Sequence, residues 1–91
     1  VQGLGLVVAD LTDAQKTELK LKGGVRVESL VEPAVRAGLR EGDVILAFGN
    51  IEVSQVKDLT LALGKLDKSK PISVLFRRGE LTRYTLIRPN S

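Results

Sequence analysis

The groups best placed to do chemistry in this chain belong to its backbone. The 91 residues include no His and no Cys, which removes the Ser-His-Asp triad, the Cys-His dyad, thiol redox chemistry and zinc sites built on imidazole or thiolate. Ser29, Ser54, Ser69, Ser73 and Ser91 have no imidazole to activate them, so the sequence argues against an independent enzyme and names no catalytic residue, metal ligand or cofactor. Gly3-Leu4-Gly5-Leu6 offers something different. Glycines at alternate positions permit a turn whose consecutive N–H groups converge as a nest, and a carboxylate taken partly out of water needs several such donors.

The elements that must position this turn follow from hydrophobic spacing. Leu4 to Ala9 is a short apolar run with β-branched residues and reads as a buried strand. Thr12 to Gln15 forms a capping box and predicts a helix over about residues 13–20, stopped by Gly23-Gly24. Val25, Val27 and Ser29 alternate with Arg26, Glu28 and Leu30, the pattern of a half-buried strand. Pro33 and Gly38 bracket a predicted short helix over 33–37, with Leu39 folding back onto it, and Glu41-Gly42-Asp43 turns the chain into a strand from Val44 to Phe48. Gly49-Asn50, both tolerant of positive φ, predicts a tight turn into Ile51 to Val53. Ser54 is a candidate cap for a helix over about 55–65, with Val56, Leu59, Leu63 and Leu66 on one stripe. Two last strands, from Ile72 to Arg77 and from Leu81 to Ile87, flank the Arg78-Gly79-Glu80 turn. Short strands with helices plugging the ends predict a mainly β fold: a partly open antiparallel barrel or sandwich of five to six strands. The length fits one domain over 1–91.

Composition narrows the partners. Fourteen basic against 11 acidic residues give a net charge of +3, a mild excess, and Phe48, Phe76 and Tyr84 are the whole aromatic content, too few for a base-stacking platform; nucleic acid is not expected. No stretch approaches the roughly 18 apolar residues of a membrane span, and the start at Val1 within an apolar pattern suggests a piece of a longer protein.

Two segments together resemble the PDZ family. Glu32-Pro33-Ala34 through Ala37-Gly38-Leu39 to Gly42-Asp43-Val44-Ile45-Leu46 is similar to its signature, and Gly3-Leu4-Gly5-Leu6 to its carboxylate-binding loop. The chain begins at that loop and carries its additional strand at the end, a permuted order. With the added 13–20 helix, it resembles the second PDZ domain of HtrA/DegP-type serine proteases. This implies a bacterial envelope or periplasmic protein of protein quality control and stress response, its catalytic domain lying outside this chain.

The resemblance implies a site, residue by residue. Gly3, Leu4, Gly5 and Leu6 would bind a peptide carboxylate, and Leu6, Val7, Val8 and Ala9 would form one wall of a groove whose other wall carries Val56, Thr60 and Leu63. Leu4, Leu6, Val8 and Leu63 would line the pocket for the ligand's last side chain. A Val at 56 favours an apolar third-last residue, because a ligand hydroxyl there would lose water without gaining a hydrogen bond. The family's basic residue ahead of the loop is replaced by Val1 and Gln2. An extended peptide would add as a strand beside the strand following the loop. The expected partners are peptide C-termini or extended segments of unfolded proteins. The competing expectation is an assembly module that packs against other domains or subunits of the parent protease. Leu59 is expected in the core, and Gly38, Gly42 and Asp43 are expected to serve conformation rather than ligand contact.

Overall fold

The computed structural model describes residues 5–32, 34–65 and 70–88. Its elements are β1 (Leu6–Asp10), α1 (Asp13–Leu19), β2 (Val25–Leu30), β3 (Val44–Phe48), β4 (Ile51–Glu52), α2 (Val56–Lys65), β5 (Ile72–Arg78) and β6 (Leu81–Ile87). The strands form one antiparallel sheet in the order β1-β2-β3-β5-β6, with β4 hairpinned onto β3. β1 and β6 are therefore its two edges.

Strict alternation builds the β5 contribution to the core, where Ile72, Val74 and Phe76 are buried and Ser73 and Leu75 are partly exposed. They meet Val25, Val27, Ile45, Phe48 and Ile87 from the sheet and Leu59 and Ala62 from α2. Each large side chain so buried contributes about 1.5–3 kcal/mol. Leu59 is fully buried, as its helical phase predicts. The Gly49-Asn50 turn has φ of 60° and 67°, so the β3–β4 hairpin closes through two left-handed residues as expected.

Three local expectations are corrected. Residues 34–38 form turns rather than a helix, with Ala37 and Gly38 N–H groups donating to Ala34 and Val35 carbonyls at 3.2 and 3.0 Å. So few residues cannot repay the entropy of nucleating an α-helix, and Pro33 lies outside the described residues. The helix at 13–19 ends when Lys20 turns left-handed (φ 58°), with its N–H returned to the Lys16 and Thr17 carbonyls. Gly23-Gly24 therefore comes after the stop. Alternation in β2 breaks at a bulge: Val7 faces Ser29 but Val8 faces Val27, leaving Glu28 without an opposite residue. The slip puts Ser29 outside and Leu30 against the core.

Asp43 is buried, at 2% exposure. Its carboxylate accepts from Arg78 Nε at 2.9 Å and Nη2 at 2.8 Å, and from the Arg40 N–H at 2.9 Å. The Arg78 head is 31% exposed, lies over the Phe76 ring and also donates to the Gly38 carbonyl. The hydrogen bond to Asp43 raises the guanidinium pKa above its ordinary value, the nearby negative charge helping and partial desolvation opposing. The pair ties the 38–43 turn to the end of β5, which agrees with a conformational role for Gly38 and Asp43.

Candidate functional site

Gly5 opens the candidate site. Its φ is +74°, and a Cβ built there would lie 2.4 Å from the Val31 carbonyl oxygen and 2.6 Å from that of Glu32. Only glycine fits so close a backbone approach. The Gly5 carbonyl accepts the Val31 N–H at 2.7 Å, anchoring the turn to the end of β2. Gly3 and Leu4, the other half of the expected loop, lie outside the described residues.

From this turn β1 runs along the sheet edge, with β2 as its one strand neighbour among the described residues and α2 packed beside it. Pleating sends Leu6 and Val8 inward, Leu6 into the core and Val8 half-buried against it. Val7 points out and is exposed, Ala9 is half-buried, and Asp10 ends the strand. From α2, Val56 and Leu63 are half-buried against the same core. They stand seven positions apart, two turns along one face. Thr60 lies between them, exposed, its hydroxyl donating to the Val56 carbonyl at 3.3 Å. The fold thus gathers Leu6, Val8, Val56 and Leu63 along a β1–α2 seam, with Thr60 on the rim and Val7 on the outer side. Leu6 is 1% exposed and lies in the core beneath this seam.

One residue at this seam escaped the sequence. The Asp10 carboxylate accepts the Val56 N–H at 2.7 Å, so the end of β1 is tied to the first turn of α2 at the end remote from Gly5. Asp58 holds the same turn, accepting from the Ser54 and Gln55 N–H groups at 2.9 and 3.2 Å. Two carboxylates thus serve the helix start, where orphan N–H groups and the dipole favour negative charge. Ser54 looked like the cap by type; a contact spanning 46 residues has no local signature. Among the described residues, no cluster of three or more acidic side chains gathers to hold a metal ion, and no helix is long and apolar enough to cross a membrane.

The sequence profile described as PDZ domain matches residues 3–86. The chain belongs to the PDZ domain family. Curated relatives of this PDZ domain include a "Probable periplasmic serine endoprotease DegP-like" from Pseudomonas putida, 39% identical over 84 residues, which are 90% of this chain and 18% of the relative. A protein of the same description from Hahella chejuensis is 33% identical over 89 residues, 97% of this chain and 19% of its own length. The chain thus spans under a fifth of these relatives. Their names are periplasmic, and this kinship supports a periplasmic location for the PDZ domain. Among solved structures, a variant of the HtrA-type protease AlgW with a decapeptide superposes with a TM-score of 0.86 at 26% identity, over 96% of this chain and 28% of that one. The HtrA3 PDZ domain bound to a phage-derived ligand matches with a TM-score of 0.79 over 96% of this chain and 83% of that one. At 21% identity the second likeness establishes the shared fold.

Proposed function

We propose that this PDZ domain, a single domain over 1–91, captures apolar peptide C-termini or extended segments by strand addition along β1. The observation that carries the reading is that β1 is a terminal strand of the sheet and runs beside a helix that presents half-buried Val56 and Leu63. An incoming strand satisfies its backbone against β1, and alternate side chains enter the seam. The terminal carboxylate sits at the Gly3-Leu4-Gly5-Leu6 segment, a reading supported by the left-handed φ of Gly5, a conformation used in anion-binding backbone nests. The last side chain rests over Leu6, Val8 and Leu63; the third-last meets Val56 with Thr60 at its rim; Val7 and Ala9 flank the ligand from the strand. The preferred ligand ends in apolar, any residue, apolar, carboxylate. AlgW, described with a decapeptide and with a tripeptide, supports peptides as the ligand class.

The domain is a non-catalytic recruiter and regulator within an HtrA-type serine endopeptidase of protein quality control, since its 91 residues contain no His or Cys to activate a nucleophile. An amide-shift titration with a short peptide ending in Val-x-Val, free and amidated, tests the reading. Shifts confined to residues 5–10 and 56–63 and lost on amidation are expected. Shifts elsewhere, or none, would overturn it.

A further inference from the structure

The opposite edge of the sheet carries a second surface that the groove does not use. Among the described residues β6 pairs with β5 alone, in continuous register from Arg78↔Leu81 to Ile72↔Ile87. Leu81, Tyr84 and Leu86 are 57%, 75% and 56% exposed. Edge strands are normally guarded by charged side chains, Pro or a bulge; the Leu81–Ile87 strand has no Pro and pairs without a bulge, and Arg83 is its one charge.

We infer that β6 pairs antiparallel with β6 of a second copy of this chain, about a two-fold axis at Tyr84. The sequence is self-complementary in that one register. Tyr84 is the centre of the seven-residue strand, so it faces Tyr84 of the second copy on the outer surface of the sheet. Thr82 then faces Leu86 and, on the inner side, Leu81 faces Ile87 and Arg83 faces the neutral Thr85. One step further out, exposed Glu80 meets exposed Arg88. The two-fold makes this ion pair twice, once at each end of the paired strands, where Glu80 lies in the turn before β6 and Arg88 just after it. A slip of one residue would turn Tyr84 away from its counterpart and separate both charge pairs. A closed two-fold contact of this kind joins two sheets without leaving β6 open to further copies. One strand against another is a small interface, so the association belongs to the weak class. The inference is independent of the peptide reading, since β1 and β6 are opposite edges.

The test is sedimentation equilibrium of the 91-residue chain up to about 1 mM, a range that detects weak dimers. The wild type is expected to dimerise, and Tyr84→Glu to weaken the dimer at least tenfold while its circular dichroism and melting temperature stay unchanged. Glu80→Arg and Arg88→Glu should each weaken it, by setting like charges opposite one another, and the double swap should restore it. Because the chain has no cysteine, Tyr84→Cys gives a second readout, a homodisulfide forming on mild oxidation across the axis. A monomer throughout the concentration range, or a dimer indifferent to the charge swap, would overturn the inference.

Discussion

Replacing Arg78 by Leu should cost this domain a large part of its stability, and the size of the loss follows from one carboxylate. Asp43, 2% exposed, takes two charge-assisted hydrogen bonds from Arg78, at 2.9 and 2.8 Å. Arg78→Leu leaves it with the Arg40 N–H alone. Breaking a buried ion pair from one side costs about 3–5 kcal/mol, because the remaining charge stays desolvated. Arg78 is 31% exposed, so water can enter where its head was, which brings the expectation to about 2–3 kcal/mol. A chain of this length has roughly 5–14 kcal/mol in total, and the midpoint of thermal unfolding should fall by about 10–20 °C. The pH dependence has a definite sign. A raised folded pKa stabilises fully below the unfolded value and is lost only as pH rises through the folded one; for Arg78 both lie far above neutrality. The loss should therefore be constant across the neutral range. Urea denaturation of the wild type, Arg78→Leu, Asp43→Asn and the double variant gives the coupling directly. A coupling near zero, or a loss under about 0.5 kcal/mol for Arg78→Leu, would refute the reasoning.

Other outcomes are expected at the groove and its supports. Leu63→Glu, setting a charge in the proposed pocket, should weaken binding of a Val-x-Val peptide at least tenfold, about 1.4 kcal/mol, in a calorimetric titration. Asp10→Ala should free the start of α2 from β1 and weaken the same peptide about three- to tenfold, while costing about 1 kcal/mol of stability from the lost helix-start acceptor; Asp10→Asn, which keeps an acceptor, should recover most of both. Gly5→Ala meets carbonyl oxygens of Val31 and Glu32 and should destabilise the chain by at least about 1–3 kcal/mol, measured by chemical denaturation.

Elements held by local chemistry were legible. The Thr12–Gln15 capping box is present in both directions, Gln15 N–H to Thr12 Oγ1 at 3.1 Å and Thr12 N–H to Gln15 Oε1 at 2.9 Å. Alternation located β5, and helical phase separated buried Leu59 from half-buried Val56 and Leu63. The misses have two causes. The bulge at Glu28 and the Asp10 tie are settled by elements packing together, each replacing a locally plausible choice with a tertiary one, whereas the left-handed Lys20 is a local helix cap made by a residue type that rarely takes that conformation. Asp10 in particular looks like an ordinary polar strand end until α2 arrives beside it. The turn at 34–38 errs the other way: a helix-like Pro and Gly bracket enclosed too few residues for a helix.

The position of β1 at the sheet edge makes the folding equilibrium itself a sensor of ligand. Among the described residues β2 is the strand that pairs with β1, so on the proposed reading a docked peptide strand would turn an edge into an interior strand. Any ligand that binds the folded chain alone adds RT ln(1 + [L]/Kd) to its stability, about 2.7 kcal/mol at a hundredfold excess over Kd. On that reading, amide exchange along Leu6–Asp10 should slow with it, so that an edge segment acquires the lifetime of the sheet's centre whenever peptide is bound.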